Sequence, residues 1–284
     1  ALGKENVSLV QPLLSSSSLQ YGLFSIQQDA EEVDILLDAL VTKGFSGFTL
    51  LGFSTGAQDA VFYMRNGEKK HQHCGKVRQL ILQGPVSDRD YMLSLPQTAA
   101  RLQRARELVD AGKGGELMPR DTDSSPMTAA RYVSLCSRLS DDDAFSNDLT
   151  PQELARIFSG VTVPCAFCFS LADEYVPSSI LQSLQQSAKQ QLAAKTEPGS
   201  SAADGKATSS AGAASSEPAA RERKDAEQLQ PLVSRLLTAI PSGQANAWFL
   251  DGADHYVTNE KHQLQFVELV VRAVKNVVDV GKAR

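Results

Sequence analysis

The segment best suited to chemistry is Gly52-Phe53-Ser54-Thr55-Gly56, a G-x-S-x-G pattern. The apolar run Phe48–Leu51 precedes it as a strand, and Ala57–Met64 follows as a helix. A serine on a tight strand-to-helix turn has its Oγ raised above the sheet edge, while the N–H of Thr55 can donate to a developing oxyanion. The pattern therefore predicts a nucleophile at Ser54. The alternative is a glycine-rich turn carrying an inert serine.

A serine attacks at neutral pH only with a base and an acid that orients the base. Where the serine lies on such a turn, the acid follows it along the chain and the histidine comes last. His255 fits this order, because it lies in a loop directly after the predicted strand Ala245–Leu250. For the acid, Asp173 follows the predicted strand Val161–Phe169, and Asp88 after the preceding strand is an alternative.

The other candidate ligands and nucleophiles favour no second chemistry. His71 and His73 lie in a polar loop soon after the serine, too early for this order, and we expect them to be solvated. Without carboxylates at ligand spacing we predict no metal site and no cofactor. Cys165 and Cys168 form a C-x-x-C inside an apolar strand, which indicates buried structural thiols. His262 falls in the last helix at a position that we expect to be exposed.

Composition sets wider limits. The 284 residues are 42% hydrophobic and 21% charged, as in an ordinary globular protein, and the net charge of −5 gives no basic field for nucleic acid. No apolar run is long enough to span a bilayer, and no signal peptide is visible, so we expect a cytoplasmic protein. The partner expected is a small-molecule ester, and the oligomeric state stays open.

The elements that position these residues alternate between strand and helix. Val7–Leu14 is predicted as a strand and Asp29–Lys43 as a helix, and the strand and helix around Ser54 follow. This alternation predicts an α/β fold with a mostly parallel sheet and helices on both faces. Later, residues from about 96 to 160 look helical in pieces and predict a cap insertion, in which the acidic run Asp141–Asp143 is interpreted as a solvated capping segment.

A low-complexity stretch from about 191 to 226 is rich in Ala, Ser, Gly, Glu and Lys. It has almost no branched apolar residue, so it cannot bury enough surface to offset its ordering entropy. We interpret it as a disordered insertion, because strand–helix alternation resumes after it. Residues 1–284 are accordingly expected to form a single domain.

Several motifs together resemble one family. GFSTGAQD at Gly52–Asp59, QGPVSDR at Gln83–Arg89, DEYVP at Asp173–Pro177 and the histidine loop at Gly252–His255 resemble the fungal and protist α/β-hydrolase family that includes siderophore ester hydrolases. The resemblance implies the α/β-hydrolase fold and a triad of Ser54, Asp173 and His255. Phe53 departs from the family, which usually has a histidine there.

The same resemblance implies that something is missing upstream. The family places strands and a glycine-rich oxyanion loop ahead of the segment that aligns with residues 1–14, and the printed sequence lacks them. The chain is therefore expected to lack the N-terminal strands of the fold and to hold at most half of the oxyanion hole.

These observations predict a serine hydrolase that cleaves an ester or thioester through an acyl-enzyme. A different class of function is a non-catalytic, hydrolase-like protein that binds a small molecule without turning it over. Acyl transfer to an acceptor other than water is a further alternative.

Overall fold

The computed structural model describes residues 7–196 and 230–282. Its centre is one four-stranded parallel sheet with the strands side by side in chain order. The strands are β1 Phe48–Phe53, β2 Val77–Gln83, β3 Cys165–Ser170 and β4 Ala245–Leu250. The helices are α1 Ile26–Thr42, α2 Thr55–Asn66, α3 Asp88–Ser94, α4 Thr98–Asp110, α5 Ala129–Cys136, α6 Pro151–Ile157, α7 Ser178–Thr196, α8 Leu232–Ala239 and α9 Glu260–Lys282.

The two faces of the sheet are packed by different helices. Alternate residues of a strand point to opposite faces, so Leu80 and Leu82 of β2 enter the main core together with Phe167 of β3. That core also contains apolar side chains of α1, α2, α6 and α8. On the other face, Leu250 packs against Phe266 of α9. The predicted parallel sheet with helices on both faces is confirmed.

The C-x-x-C of β3 divides between these faces. Cys165 lies in the main core and Cys168 in the smaller cluster under α9, because residues three apart in a strand point in opposite directions. Both thiols are free and buried, and burial raises the pKa of Cys168 to about 12. The prediction of buried structural thiols is confirmed.

Helix α1 shows how local sequence sets the elements. Ser25 accepts from the N–H of Gln28, and the Gln28 side chain accepts from the Ser25 N–H, a reciprocal capping box. The helix ends before Gly44, whose φ of +93° is accessible to glycine without strain. The predicted start at Asp29 is three residues too late, since the buried face already begins with Ile26 in the first turn.

The segment between β2 and β3 carries helices α3 to α6. Helical pieces were expected from about residue 96, whereas α3 lies before that point and its seven residues are too few to show a period. Apolar side chains of α3, α4 and α5 form a second cluster, separate from the main core, whose buried members include Met92, Leu102, Tyr132 and Leu135.

The acidic run in this segment was wrongly interpreted as solvated. Asp142 and Asp143 are buried, 1% and 2% exposed, and only Asp141 lies at the surface. Each buried carboxylate has a buried arginine partner: Arg131 binds Asp142, and the Nε of Arg89 lies 3.0 Å from Asp143. The composition of the run did not reveal these arginines because they lie 11 and 54 residues away along the chain.

The strand predicted at Val7–Leu14 is also wrong. Residues 7–14 adopt no regular structure, and the side chains of Leu9 and Leu13 are 78% and 83% exposed. A strand needs a neighbour to accept its backbone hydrogen bonds, and Pro12 removes one donor in the middle of the run. Within the described residues, β1 is paired on one side only, by β2.

Most of the low-complexity stretch lies outside the described residues. Its first six residues belong instead to helix α7, which ends at Thr196. Within the described ranges, no helix combines the length and the apolar character needed to cross a membrane.

Candidate active site

The turn between β1 and α2 has the geometry of a nucleophile elbow. Ser54 has φ +55° and ψ −120°, a region that a non-glycine residue rarely occupies. Its N–H donates to the carbonyl of Gln83, 2.9 Å away, which ties the turn to β2. A Cβ on Gly52 would lie 2.1 Å from the carbonyl oxygen of Gly56, so the strand and helix can cross this closely only with glycine at position 52.

Three side chains form one hydrogen-bonded series at this turn. Ser54 Oγ lies 2.9 Å from His255 Nε2, and His255 Nδ1 lies 2.7 Å from Asp173 Oδ2. The histidine and the aspartate are 2% and 3% exposed. The spacing of these groups allows the carboxylate to orient the ring through Nδ1 while Nε2 accepts a proton from the hydroxyl.

The sheet explains why these residues meet. Ser54 directly follows β1, Asp173 lies three residues beyond β3, and His255 five residues beyond β4. Parallel strands place all their carboxyl ends on one edge, so three loops far apart in sequence meet there. The serine and histidine are 201 residues apart along the chain.

The loops themselves are fixed by further hydrogen bonds. The side-chain amide of Gln83 donates to the carbonyl of His255 (3.0 Å), and the N–H of His255 donates to Glu174 Oε2 (3.0 Å). Asp173 Oδ1 accepts from the N–H of Tyr175 (3.0 Å), which leaves Oδ2 for the imidazole. Gln83, Glu174 and Tyr175 were not predicted as site residues, although each lies in one of the motifs QGPVSDR and DEYVP.

Asp88, the alternative acid, is placed elsewhere. It is the first residue of α3 and interacts with the side chain of Gln58, whereas the imidazole nitrogens face Ser54 and Asp173. Burial raises the pKa of Asp88 to about 6, and the nearby carboxylate of Asp142 adds to the rise. Of the two acids that the sequence left open, only Asp173 is hydrogen-bonded to His255.

Thr55 is the first residue of α2. The first N–H groups of a helix have no acceptor within it, and the helix dipole concentrates positive potential at that end. The backbone N–H of Thr55 is therefore suited to bind negative charge that develops next to Ser54.

The remaining histidines lie outside this series. His71 and His73 are 2% and 4% exposed, so the expectation of a solvated loop is wrong. His71 stacks on Tyr63 at 4.5 Å, where burial lowers its pKa, and His73 Nε2 lies 3.0 Å from Asp38. His262 on α9 is partly exposed. Across the described chain, no group of three or more His, Cys, Asp or Glu side chains is arranged to hold a metal ion.

Aromatic rings surround the imidazole. Phe53, Tyr175 and Tyr256 have ring centroids 5.0, 4.8 and 5.2 Å from that of His255. Tyr91 of α3 contacts Tyr175 edge-on at 5.2 Å. Phe53 is 36% and Tyr256 58% exposed, so part of this aromatic rim is open to a ligand.

A narrow cavity of about 20 Å³ adjoins the rim. It begins at Gly84 and Asp173, both of which lie against the imidazole, and extends between α3 and α7. A Cβ at Gly84 would lie 3.2 Å from His255 Cε1, so a side chain there would press on the ring.

The chain has the α/β-hydrolase fold: a parallel sheet with helices on both faces and the three loops of the site at the carboxyl edge of its strands. The siderophore hydrolase EstB from Aspergillus fumigatus is similar over 93% of this chain and 79% of its own, with a TM-score of 0.58 and 19% identity. A solved α/β-hydrolase fold protein of unknown function gives a TM-score of 0.56 at 16% identity over 95% of this chain and 77% of its own. These likenesses concern the fold.

The chain belongs to the family described as "Protein of unknown function (DUF1749)", which it matches over residues 1–240. A curated relative is the UPF0613 protein PB24D3.06c of Schizosaccharomyces pombe, 27% identical over 168 residues. The match covers 54% of this chain, and the chain spans about half the length of that relative, 52%.

Proposed function

We propose that this protein is a serine esterase-type hydrolase that cleaves a small carboxylic ester or thioester, with Ser54 as nucleophile, His255 as general base and Asp173 as orienting acid. One observation carries the proposal: the Ser54–His255–Asp173 series, at 2.9 and 2.7 Å, begins at a serine with positive φ at the start of a helix. A strained turn persists only where its surroundings hold it, and such turns concentrate at functional sites.

The chemistry follows from the geometry. Ser54 Oγ attacks the ester carbonyl carbon while its proton passes to His255 Nε2, and the N–H of Thr55 donates to the oxyanion. Asp173 keeps the Nδ1 proton in place and stabilises the imidazolium. Collapse breaks the bond to the leaving oxygen or sulfur, which takes the proton from Nε2, and leaves an acyl-serine. Water, deprotonated by the same imidazole, then releases the carboxylic acid and restores Ser54.

The helical segment between β2 and β3 contributes to this reaction in our proposal as a cap within a single domain. Its contact with the site is the pair Tyr91 and Tyr175, and Ser87 and Asp90 line the cavity beside Asp173. This segment would therefore set the shape of the substrate pocket.

Labelling by a fluorophosphonate probe tests the proposal, because only an activated serine reacts with it. We expect one label per folded chain, located on Ser54 by peptide mapping and absent from Ser54→Ala. A panel of 4-nitrophenyl esters of increasing acyl length should give turnover that the same substitution removes. A folded chain that takes up no label and hydrolyses no ester would instead support the non-catalytic binding protein.

A further inference from the structure

The proton transfer proposed for this site depends on a short distance between two remote segments of the chain. Ser54 Oγ and His255 Nε2 lie 2.9 Å apart, although 201 residues separate them in sequence. His255 lies in a loop five residues beyond the end of β4, so the strand alone does not fix its place. A misplacement of about 1 Å can lower turnover by about 10²-fold. A further contact must therefore hold the histidine loop against the turn at Ser54.

Gln83 makes that contact from the strand between the serine and the acid. It is the last residue of β2, in register with Phe53 of β1 on one side and with Cys168 of β3 on the other. Its backbone carbonyl accepts from the N–H of Ser54 (2.9 Å), and its side-chain Nε2 donates to the carbonyl of His255 (3.0 Å). One residue thus binds the backbone of both the nucleophile and the base.

The surroundings of Gln83 make this bond effective. The residue is 6% exposed and its bond to His255 is buried, so water does not compete for either group. The next residue, Gly84, donates its N–H to the carbonyl of Cys168 at 2.9 Å and has no side chain that would press on the imidazole. The end of β2 therefore holds the histidine by its backbone and leaves room for its ring.

The other backbone group of His255 has a different kind of partner. Its N–H donates to Glu174 Oε2 at 3.0 Å, and Glu174 is exposed. A hydrogen bond at the surface is readily exchanged for one to water, whereas a buried group that loses its partner stays unsatisfied. The two bonds are therefore unequal, and the buried one from Gln83 contributes more to the position of the ring.

We propose that Gln83 is a positioning residue of this site, whose side-chain amide keeps His255 Nε2 within hydrogen-bond distance of Ser54 Oγ. This inference rests on the proposed function and adds to it a residue that acts through the base rather than on the substrate. Loss of the amide leaves the bond to the Ser54 N–H in place, because that bond uses the backbone of Gln83. The effect of a substitution therefore falls on proton transfer and not on substrate binding.

The variant Gln83→Met tests the proposal, because methionine has a similar length but no donor. We expect kcat on 4-nitrophenyl esters to fall by about 10- to 100-fold while KM changes by less than about twofold. The second-order rate constant of fluorophosphonate labelling should fall by a similar factor, since labelling uses the same hydroxyl and imidazole. Both rates are expressed per folded chain, measured by circular dichroism well below the melting temperature.

Gln79→Met is the matched control. Gln79 lies four residues earlier on the same face of β2, is 5% exposed, and has a side-chain oxygen without a hydrogen-bond partner in the part of the chain that the structure describes. This variant should keep both rates within about twofold of the native values, whatever stability it loses. Glu174→Ala removes the exposed bond to His255 and should lower kcat by less than about fivefold.

Gln83→Glu keeps the length of the side chain and has no donor once it is ionised at about pH 8, so it supplies the same measurement if Gln83→Met does not fold. Native rates in the folded Gln83 variants, or losses as large in Gln79→Met, would overturn this inference and leave the proposed function standing. Failure of both Gln83 variants to fold would assign the residue to stability alone and overturn it too. A native chain that neither hydrolyses esters nor takes up the label would overturn both proposals.

Discussion

The imidazole of His255 has two neighbours of different kinds, a hydroxyl at Nε2 and a carboxylate at Nδ1. A carboxylate in this position fixes the tautomer and compensates the charge that the ring acquires. Replacing it by an amide leaves the shape of the site but permits the wrong tautomer, a change that costs about 10⁴-fold in serine proteases.

We therefore expect Asp173→Asn to lower kcat on 4-nitrophenyl esters by about 10³- to 10⁴-fold, and His255→Ala to lower it at least as far. Asp88→Asn is the matched control, because it changes a neighbouring, partly buried aspartate that is not hydrogen-bonded to the ring. It should change kcat by less than about tenfold. A large loss in Asp88→Asn with near-normal turnover in Asp173→Asn would mean that the acid is wrongly assigned.

The two glycines around the serine offer a second matched pair. A Cβ at Gly52 would lie 2.1 Å from the backbone oxygen of Gly56, whereas a Cβ at Gly56 meets no atom within 4 Å. Gly52→Ala should therefore lower the free energy of unfolding in urea by about 3 kcal/mol, and Gly56→Ala by less than about 1 kcal/mol. Similar losses in the two variants would show that the crossing of β1 and α2 is looser than described.

At the scale of elements, buried ion pairs join parts of the chain that the core does not. Arg131 of α5 binds Asp142 and donates to the carbonyl of Tyr21, so one guanidinium links α5, the turn after it and the segment before α1. Asp141, the residue before Asp142, pairs with Arg65 at 2.6 Å near the surface, and 56% of the Asp141 side chain is exposed.

Removing one partner of a buried pair leaves the other as an uncompensated charge, at a cost of about 3–5 kcal/mol. Asp142→Asn should therefore lower the free energy of unfolding by about 3 kcal/mol. Asp141→Asn, one residue away, should cost less than about 1 kcal/mol, the usual contribution of an exposed pair. Thermal and urea unfolding of the two variants measures the difference, and equal stability would contradict the buried position of Asp142.

The sequence predicted β1, β3 and β4 because the signals of a strand are local, although the run at Val7–Leu14 forms none. The run at Ala245–Leu250 is a strand with the predicted bounds, and the G-x-S-x-G lies on the predicted strand-to-helix turn. The order of serine, acid and histidine placed Asp173 and His255 on loops that the structure brings together. A local pattern does not show which residues pair across long distances in the chain. The burial of Asp142 was therefore not predicted, because its partner Arg131 lies on another element. The aromatic rim of Tyr175 and Tyr256 likewise forms only where two loops meet.

Across the molecule, the pKa values of some carboxyl groups are raised and those of others are lowered. Burial raises the pKa of Asp29 and Asp88, that of Asp88 to about 6, and raises the pKa of Asp59 well above its ordinary value. Bonds to Arg138 lower the pKa of Glu153 to about 2. A raised folded-state pKa stabilises the fold below the unfolded value and loses this effect as pH rises, whereas a lowered one stabilises above the unfolded value and is lost as pH falls.

The contribution of Asp88 to stability should accordingly be full below about pH 4 and be lost as pH rises from about 4 to about 6. For Asp88 the rise from 3.8 to about 6 corresponds to about 2–3 kcal/mol above pH 7. Asp88→Asn should remove that part of the decline, while the exposed control Asp121→Asn keeps it. Urea unfolding between pH 4 and pH 8 measures both. A native chain that gains stability steadily up to pH 8 would contradict the raised pKa of these buried acids.

The 201 residues that separate Ser54 from His255 have a consequence for folding. Strands β1 and β2 and helix α2 can pair early, because their contacts are short in sequence, whereas the contact between hydroxyl and imidazole closes one of the longest loops in the chain. Contacts between residues far apart in sequence form slowly, because the chain loses the entropy of closing the loop before the contact contributes any favourable free energy. We therefore expect the turn at Ser54 to form before β4 brings His255 to the sheet edge. Under the proposed function, hydrolytic competence would come only when this late contact forms.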